Sequence, residues 1–180
     1  TIIINKTEGF SFPKMKLRGD RFEKIENQYN HFEQLFLNKI PYSIMISKNL
    51  FNKVGGYSEN LIYGYEDWEL NIRLGSKNIF GFLAQKATLN YNVSNSGMLK
   101  SKSIKFHGII WRQIQNINRS SYTIKNFIDL YKCSKKIRSA NWLGIYFIYY
   151  FIWKITPIKL FNFGFKTIDI LKTNIRFFKN

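Results

Sequence analysis

Val54-Gly55-Gly56-Tyr57-Ser58-Glu59-Asn60-Leu61-Ile62-Tyr63-Gly64-Tyr65-Glu66-Asp67-Trp68-Glu69-Leu70-Asn71-Ile72-Arg73-Leu74 is the stretch on which the reading of this chain turns. It holds the densest acidic cluster, Glu66, Asp67 and Glu69, of a chain with a formal net charge of +17, and sets it among Tyr63, Tyr65 and Trp68 just after Gly64. Gly55-Gly56 permits backbone angles closed to other residues, which predicts a tight turn that delivers the following loop to a fixed place. Gly64 offers a second such point. The pattern that follows supports two structures. Trp68, Leu70, Ile72 and Leu74 alternate with Glu69, Asn71 and Arg73, the period of a half-buried strand. A helix is also compatible, with Asp67 as N-cap, Glu69 in the first turn and Gly75 where a C-cap is wanted.

Aromatic faces beside carboxylates suit a sugar site. The run G-G-Y-S-E over 55–59, then G-Y-E-D-W-E-L over 64–70 and Arg73, resembles the acceptor-side motif of the family 2 glycosyltransferases, inverting enzymes of the GT-A fold. The resemblance implies an α/β fold with a helix opening on the Glu-Asp pair, and it resolves 68–74 as helix. Carried onto this sequence, it implies Asp67 as catalytic base, Glu66 as its neighbour at the acceptor pocket and Trp68 as a pocket wall, with Gly64 and Tyr65 beside them in substrate binding. Tyr91-Asn92-Val93-Ser94-Asn95-Ser96-Gly97-Met98 is similar to the loop that closes over the donor in such enzymes, which adds Tyr91 and Ser96 to the binding residues.

The resemblance runs from about Pro41 to Ile114. Enzymes of this kind begin with a nucleotide-binding half of βαβ units ending in an Asp-x-Asp metal motif. Here the four aspartates, Asp20, Asp67, Asp129 and Asp169, stand far apart, and there is no Gly-rich phosphate loop. The chain is therefore read as the C-terminal part of a GT-A, Rossmann-like glycosyltransferase domain followed by a mainly helical basic tail. Residues 1–118 form the acceptor-side half, and 119–180 the basic, aromatic-rich tail. A divalent metal, Mg or Mn, is implied for the intact enzyme, its ligands mostly outside this chain; His107 is the weak candidate within it.

The bulk composition agrees with a folded domain. A chain of 180 residues is long enough for one real core, and 45% hydrophobic residues argue against disorder. Residues 1–99 carry 12 basic and 9 acidic side chains, net +3, whereas 100–180 carry 16 and 2, net +14. A field of that sign attracts the phosphates of lipids, nucleic acids or nucleotide sugars. Cys133 is alone, so no intramolecular disulfide forms. It precedes Lys135 and Lys136 but has no His nearby in sequence, and is read as structural.

Along the chain, Ile2-Ile3-Ile4 suggests a strand, followed by a charged, loop-like passage through Pro13 and Gly19. Apolar residues at helical spacing from Phe22 to Leu37 predict an amphipathic helix carrying His31 as a surface or packing residue. Pro41 ends it, 42–47 is expected as a buried strand, and 49–54 as a short helical turn. Two short strands are expected over 79–84 and 87–93, and a helix over 104–117 carries His107. Tyr122 to Arg138 is a basic amphipathic helix.

Trp142 to Trp153 contains no charge. Twelve helical residues span roughly 18 Å against a hydrocarbon core of about 30 Å, too short to cross a bilayer. The Trp ends and Tyr content suit the membrane interface, and basic residues follow at intervals among more aromatics. The expectation is peripheral attachment to an anionic membrane on its cytoplasmic face, the alternative being a buried helix of a larger enzyme. The implied chemistry is one inverting displacement from a nucleotide-sugar donor to a saccharide or lipid-linked acceptor. Two other classes compete: a basic aromatic nucleic-acid-binding module, and a non-enzymatic membrane-surface protein. Contiguous, uncharged rings at 142–153 argue against the first, since a stacking surface intersperses rings with cations; no nucleic-acid partner is expected.

Overall fold

Phe10 and Phe12, separated by Ser11, place two rings on one side of an extended chain, and both are buried. They belong to β1 (Gly9–Gly19), the centre of a three-stranded sheet in the computed structural model, which describes residues 8–20, 22–94, 103–137 and 144–164. The passage expected as a loop is thus a strand: the alternation of Phe10 and Phe12 outweighs Pro13 and the charged residues around it. Ile2 to Ile4 lie outside the described residues. β2 (Glu23–Ile25) pairs antiparallel with β1, Met15 opposite Ile25, and β3 (Phe80–Val93) pairs parallel on the other side, from Gly9 opposite Phe80 to Gly19 opposite Val93. The two strands expected over 79–93 are one. The break between them is nonetheless real, because the register slips at Pro13: Pro13 faces Ala84 and Lys14 faces Thr88. Proline brings no N–H to a ladder, so a slip there loses little pairing.

The amphipathic helix expected over 22–37 is replaced by β2, an extended passage and one turn, α1 (His31–Gln34). Helical spacing loses here to strand pairing with β1. Asn30 sets the start of α1, its side-chain oxygen accepting from the Glu33 N–H at 3.2 Å. The buried strand expected at 42–47 reduces to one antiparallel bridge, Ser11 with Met45, and Met45 is 74% exposed. Ile44 and Ile46 pack against the core on either side of it. The short helix after it is present as α2 (Lys48–Lys53), capped by Ser47.

α3 (Glu66–Ser76) is a helix, and its strand-like alternation has a physical cause. At 100° per residue, Trp68 and Ile72 share one face and Leu70 and Leu74 the nearly opposite one. The first pair enters a helical core with Phe32, Leu35, Phe36, Trp111, Phe127 and Trp153; the second enters a core against the sheet with Phe10, Phe12, Leu50 and Ile79. A helix buried on both sides needs apolar residues two apart as well as four apart. Each such burial is worth about 1.5–3 kcal/mol. Tyr65, not Asp67, is the N-cap, and Asp67 is the second residue of the helix. Gly75 is not the cap either, since the helix runs on to Ser76. The reversal is made by Asn78 at φ 60°, with Ile79 N–H returning to the Leu74 carbonyl at 3.0 Å. Gly75 is small for another reason: a Cβ there would run into the His31 ring and the Tyr29 hydroxyl.

Among the described residues, α4 (His107–Ile117), α5 (Ile124–Ile137) and α6 (Gly144–Ile155) close the helical core, with a 3-10 turn over Arg119–Tyr122, and Phe161, from helical residues 158–164, joins them. Ile110, Trp111 and Ile114 of α4, Phe127 of α5 and Tyr150 and Trp153 of α6 share one cluster, so packing crosses the boundary expected at 118/119. No helix among the described residues is long and apolar enough to cross a membrane.

Candidate acceptor site at the start of the central helix

The double glycine turns as its sequence predicts, Gly55 at φ 92° and Gly56 at φ 64°. Arg73 on α3 holds that turn in place. Its guanidinium donates to the Val54 carbonyl and, at 2.6 Å, to the Gly56 carbonyl, while the same fork donates to Glu69 through Nε at 2.9 Å and Nη2 at 2.7 Å. Glu69 is wholly buried and also accepts from Asn118 Nδ2 at 3.1 Å, so its charge is paired and hydrogen-bonded as burial requires. The third acid of the cluster is therefore structural: it ties the turn before Tyr57 to the helix that carries the other two.

The loop ends on two consecutive left-handed residues, Gly64 at φ 104° and Tyr65 at φ 68°. At Gly64 a Cβ would approach Ser103 Oγ to 2.5 Å, and that hydroxyl donates to the Tyr63 carbonyl at 2.9 Å. A tyrosine in this region costs backbone energy on the order of 1–2 kcal/mol, and its side chain is well anchored. The Tyr65 hydroxyl lies 3.2 Å from His107 Nδ1, and its ring meets Trp68 edge-on at 5.3 Å. His107 Nε2 lies 3.2 Å from the Tyr149 hydroxyl, and the imidazole stacks with Trp68, Trp111 and Phe161. Burial pushes the His107 pKa down to about 3, so a neutral ring faces both phenols, one nitrogen donating and the other accepting.

These anchors leave Glu66 and Asp67 on the half-buried first turn of α3. Burial raises the Asp67 carboxyl above the usual carboxylate range, against the Asn38 side chain and the backbone N–H groups of Trp68 and Asp67, which favour the charged form; the Glu66 charge adds to the rise. Asn38 Nδ2 donates to Asp67 Oδ2 at 2.9 Å. Tyr57 faces the same pair: after burial, the charges of Asp67 and then Glu66 hold its hydroxyl above its ordinary pKa. A half-buried carboxylate with raised proton affinity, held by one amide beside a phenol and a second carboxylate, can take a proton from a bound hydroxyl.

Not every expected residue stands with that pair. Trp68 is 1% exposed and donates its indole N–H to the Gln34 carbonyl at 2.5 Å; it is a core residue that positions the helix rather than a wall that a ligand touches. Gly64 is buried and shapes the backbone. Tyr91 lies on β3 with its ring 6.0 Å from Tyr42, and no hydrogen bond or ring contact described joins it to Asp67. Ser96 lies outside the described residues. The sequence reading missed Asn38, which sits in the segment taken as the end of a helix and carries no motif. It also left unassigned Tyr57, Tyr149 and the Tyr65-to-His107 link, which joins residues 42 positions apart. Among the described residues no three His, Cys, Asp or Glu side chains converge as a metal site, and both His107 nitrogens face phenols. These donors do not fit a divalent metal.

A sequence model of the family described as Glycosyltransferase like family 2 matches residues 8–142, three quarters of the chain. Neither the curated proteins nor the solved structures contain a match.

Proposed function

From the chain's membership of glycosyltransferase like family 2, we propose that it supplies the acceptor side of an inverting sugar transfer in which Asp67 is the catalytic base. The observation that carries this reading is the Asp67 carboxylate itself, half-buried on the first turn of α3 with its proton affinity raised and one oxygen held by Asn38. In the proposed step a hydroxyl of a saccharide or lipid-linked acceptor loses its proton to Asp67 as its oxygen bonds to the anomeric carbon of a nucleotide sugar. The bond from that carbon to the nucleoside diphosphate breaks with inversion. Glu66 accepts from other hydroxyls of the acceptor, and Tyr57 offers an aromatic face and a phenol beside them. The 180 residues contain no Asp-x-Asp; in this reading the diphosphate, with any Mg or Mn, is gripped by residues outside them.

The test separates the two carboxylates in the enzyme that carries this chain. Glu66→Gln should raise KM for the acceptor with little loss of kcat, because it removes binding common to ground and transition states. Asp67→Asn should lower kcat and leave donor affinity unchanged. The reading fails if the two substitutions act alike on KM alone.

A further inference from the structure

An N-cap side chain ordinarily fixes the first turn of a helix by accepting from one of its free N–H groups. Tyr65, the N-cap of α3, makes no such bond and holds a left-handed backbone at φ 68°, ψ 17°. Its carbonyl accepts from the Glu69 N–H at 3.0 Å, so the turn that carries Glu66 and Asp67 is built directly on it. The direction of that turn follows from how Tyr65 is held. A backbone in so sparsely populated a region persists only where its surroundings over-determine it.

The hold comes from the second half of the chain. The Tyr65 hydroxyl, 3.2 Å from His107 Nδ1, and the Tyr149 hydroxyl, 3.2 Å from Nε2, form one line of contacts from the N-cap of α3, across the first residue of α4, to the middle of α6. His107 is 3% exposed and lies nearly parallel to Trp68 at 15° and to Phe161 at 19°, so its ring is clamped. Turning it would strip buried nitrogens of these partners, which is costly. Tyr149 is fixed in its turn by stacking on Trp111 at 5.2 Å. For packing alone, phenylalanines would fill these places with no polar group to desolvate. What the polar line adds is direction, because a hydrogen bond constrains where the Tyr65 side chain points.

We infer that Tyr65, His107 and Tyr149 are positioning residues for Asp67, so that α6 sets the angle at which the base meets its acceptor. The inference rests on Asp67 being the base. A reacting group moved by an ångström loses rate steeply, while binding made elsewhere is untouched.

The experiment compares variants of the enzyme that carries this chain. Tyr65→Phe keeps the ring against Trp68 and loses only the hydroxyl. Its kcat is expected to fall at least about tenfold, with donor affinity unchanged and circular dichroism native. Tyr149→Phe, one contact further away, should lower kcat in smaller measure. In an Asp67→Asn background Tyr65→Phe should add no further loss, since it acts through the carboxylate already removed. If Tyr65→Phe fails to fold, two substitutions of the histidine read the same contact: an Asn amide falls near the place of Nδ1 and a Gln amide near that of Nε2. His107→Asn should then keep more kcat than His107→Gln. Unchanged kcat in a folded Tyr65→Phe overturns the inference, as does His107→Gln matching or exceeding His107→Asn. So does a Tyr65→Phe loss that persists undiminished beside a slow Asp67→Asn. Asp67→Asn alone tests the base, so the two claims fail separately: a fast Asp67→Asn removes the reaction as proposed, whereas a slow one beside an unaltered Tyr65→Phe removes only the positioning.

Discussion

Asp67 owes its proposed role to where the first turn of α3 leaves it: buried enough for its pKa to rise, open enough to meet an acceptor. Asn38 donates to its charged form, so removing that amide should raise the pKa further. The acid limb of the kcat/KM profile in Asn38→Ala is expected to move to higher pH, because the charged carboxylate loses a hydrogen-bond donor. An unmoved limb would detach Asn38 from the base. His107 and His31 titrate in the opposite sense. Burial lowers them to about 3 and about 4 from an ordinary 6.5, so both are neutral in the fold and take a proton more readily once unfolded. Stability from this source is complete well above pH 6.5 and is lost as pH falls towards the folded-state values; between pH 6.5 and 5 each histidine forfeits about 1.5 kcal/mol. Urea melts at those two pH values measure it, and equal midpoints would contradict the burial of both rings. Of these residues, Glu66 and Asp67 were legible because a motif marks them. Asn38 was not, because a single amide reaching across 29 positions leaves no periodic trace.

The elements were read well where one face is buried and badly where the environment has two sides. α2, α4 and α5 follow their apolar spacing within a few residues. On α3 the alternation of Trp68, Leu70, Ile72 and Leu74 imitates a strand because one pair serves the helical core and the other the sheet. Resemblance resolved what the pattern left open. The segment 22–37 was misread for the converse reason, since its helical spacing includes Phe22, which is 76% exposed, and Ile25, which serves a strand pair. Gly75 tests the packing of α3 directly. Alanine gains about 1 kcal/mol in intrinsic helix propensity, but its Cβ meets the His31 ring and the Tyr29 hydroxyl. Overpacking is expected to win, leaving Gly75→Ala less stable by about 1–3 kcal/mol in a urea titration. A stabilised variant would show that α1 does not press on α3 at this point.

At the scale of the molecule, α3 joins two cores, and the helices of the second half complete one of them. The length and composition of the uncharged run at 142–153 suit a membrane interface, with a buried helix as the alternative. Its rings in fact pack on Phe36, Trp111 and Phe127, while the aliphatic side remains outward. Composition cannot separate these, because both faces of α6 are apolar and only the fold says which is spent. Deleting 144–164 should therefore bare Phe36, Trp111 and Phe127, giving a protein with no cooperative thermal transition and strong binding of a hydrophobic dye. A deletion that still melts cooperatively would make α6 an appendage. The charge imbalance was legible at once, since net charge is a sum over the sequence and needs no fold.

The most direct measurement of the central claim is the single-turnover transfer rate, at saturating donor and across pH, of the enzyme carrying this chain and of its Asp67→Asn variant. With Asp67 as the base, the unaltered enzyme loses rate towards acid as the carboxylate protonates, and the variant is slower by at least about a hundredfold with that acid limb gone. A variant that keeps the rate and the same limb would contradict the account and place the base elsewhere.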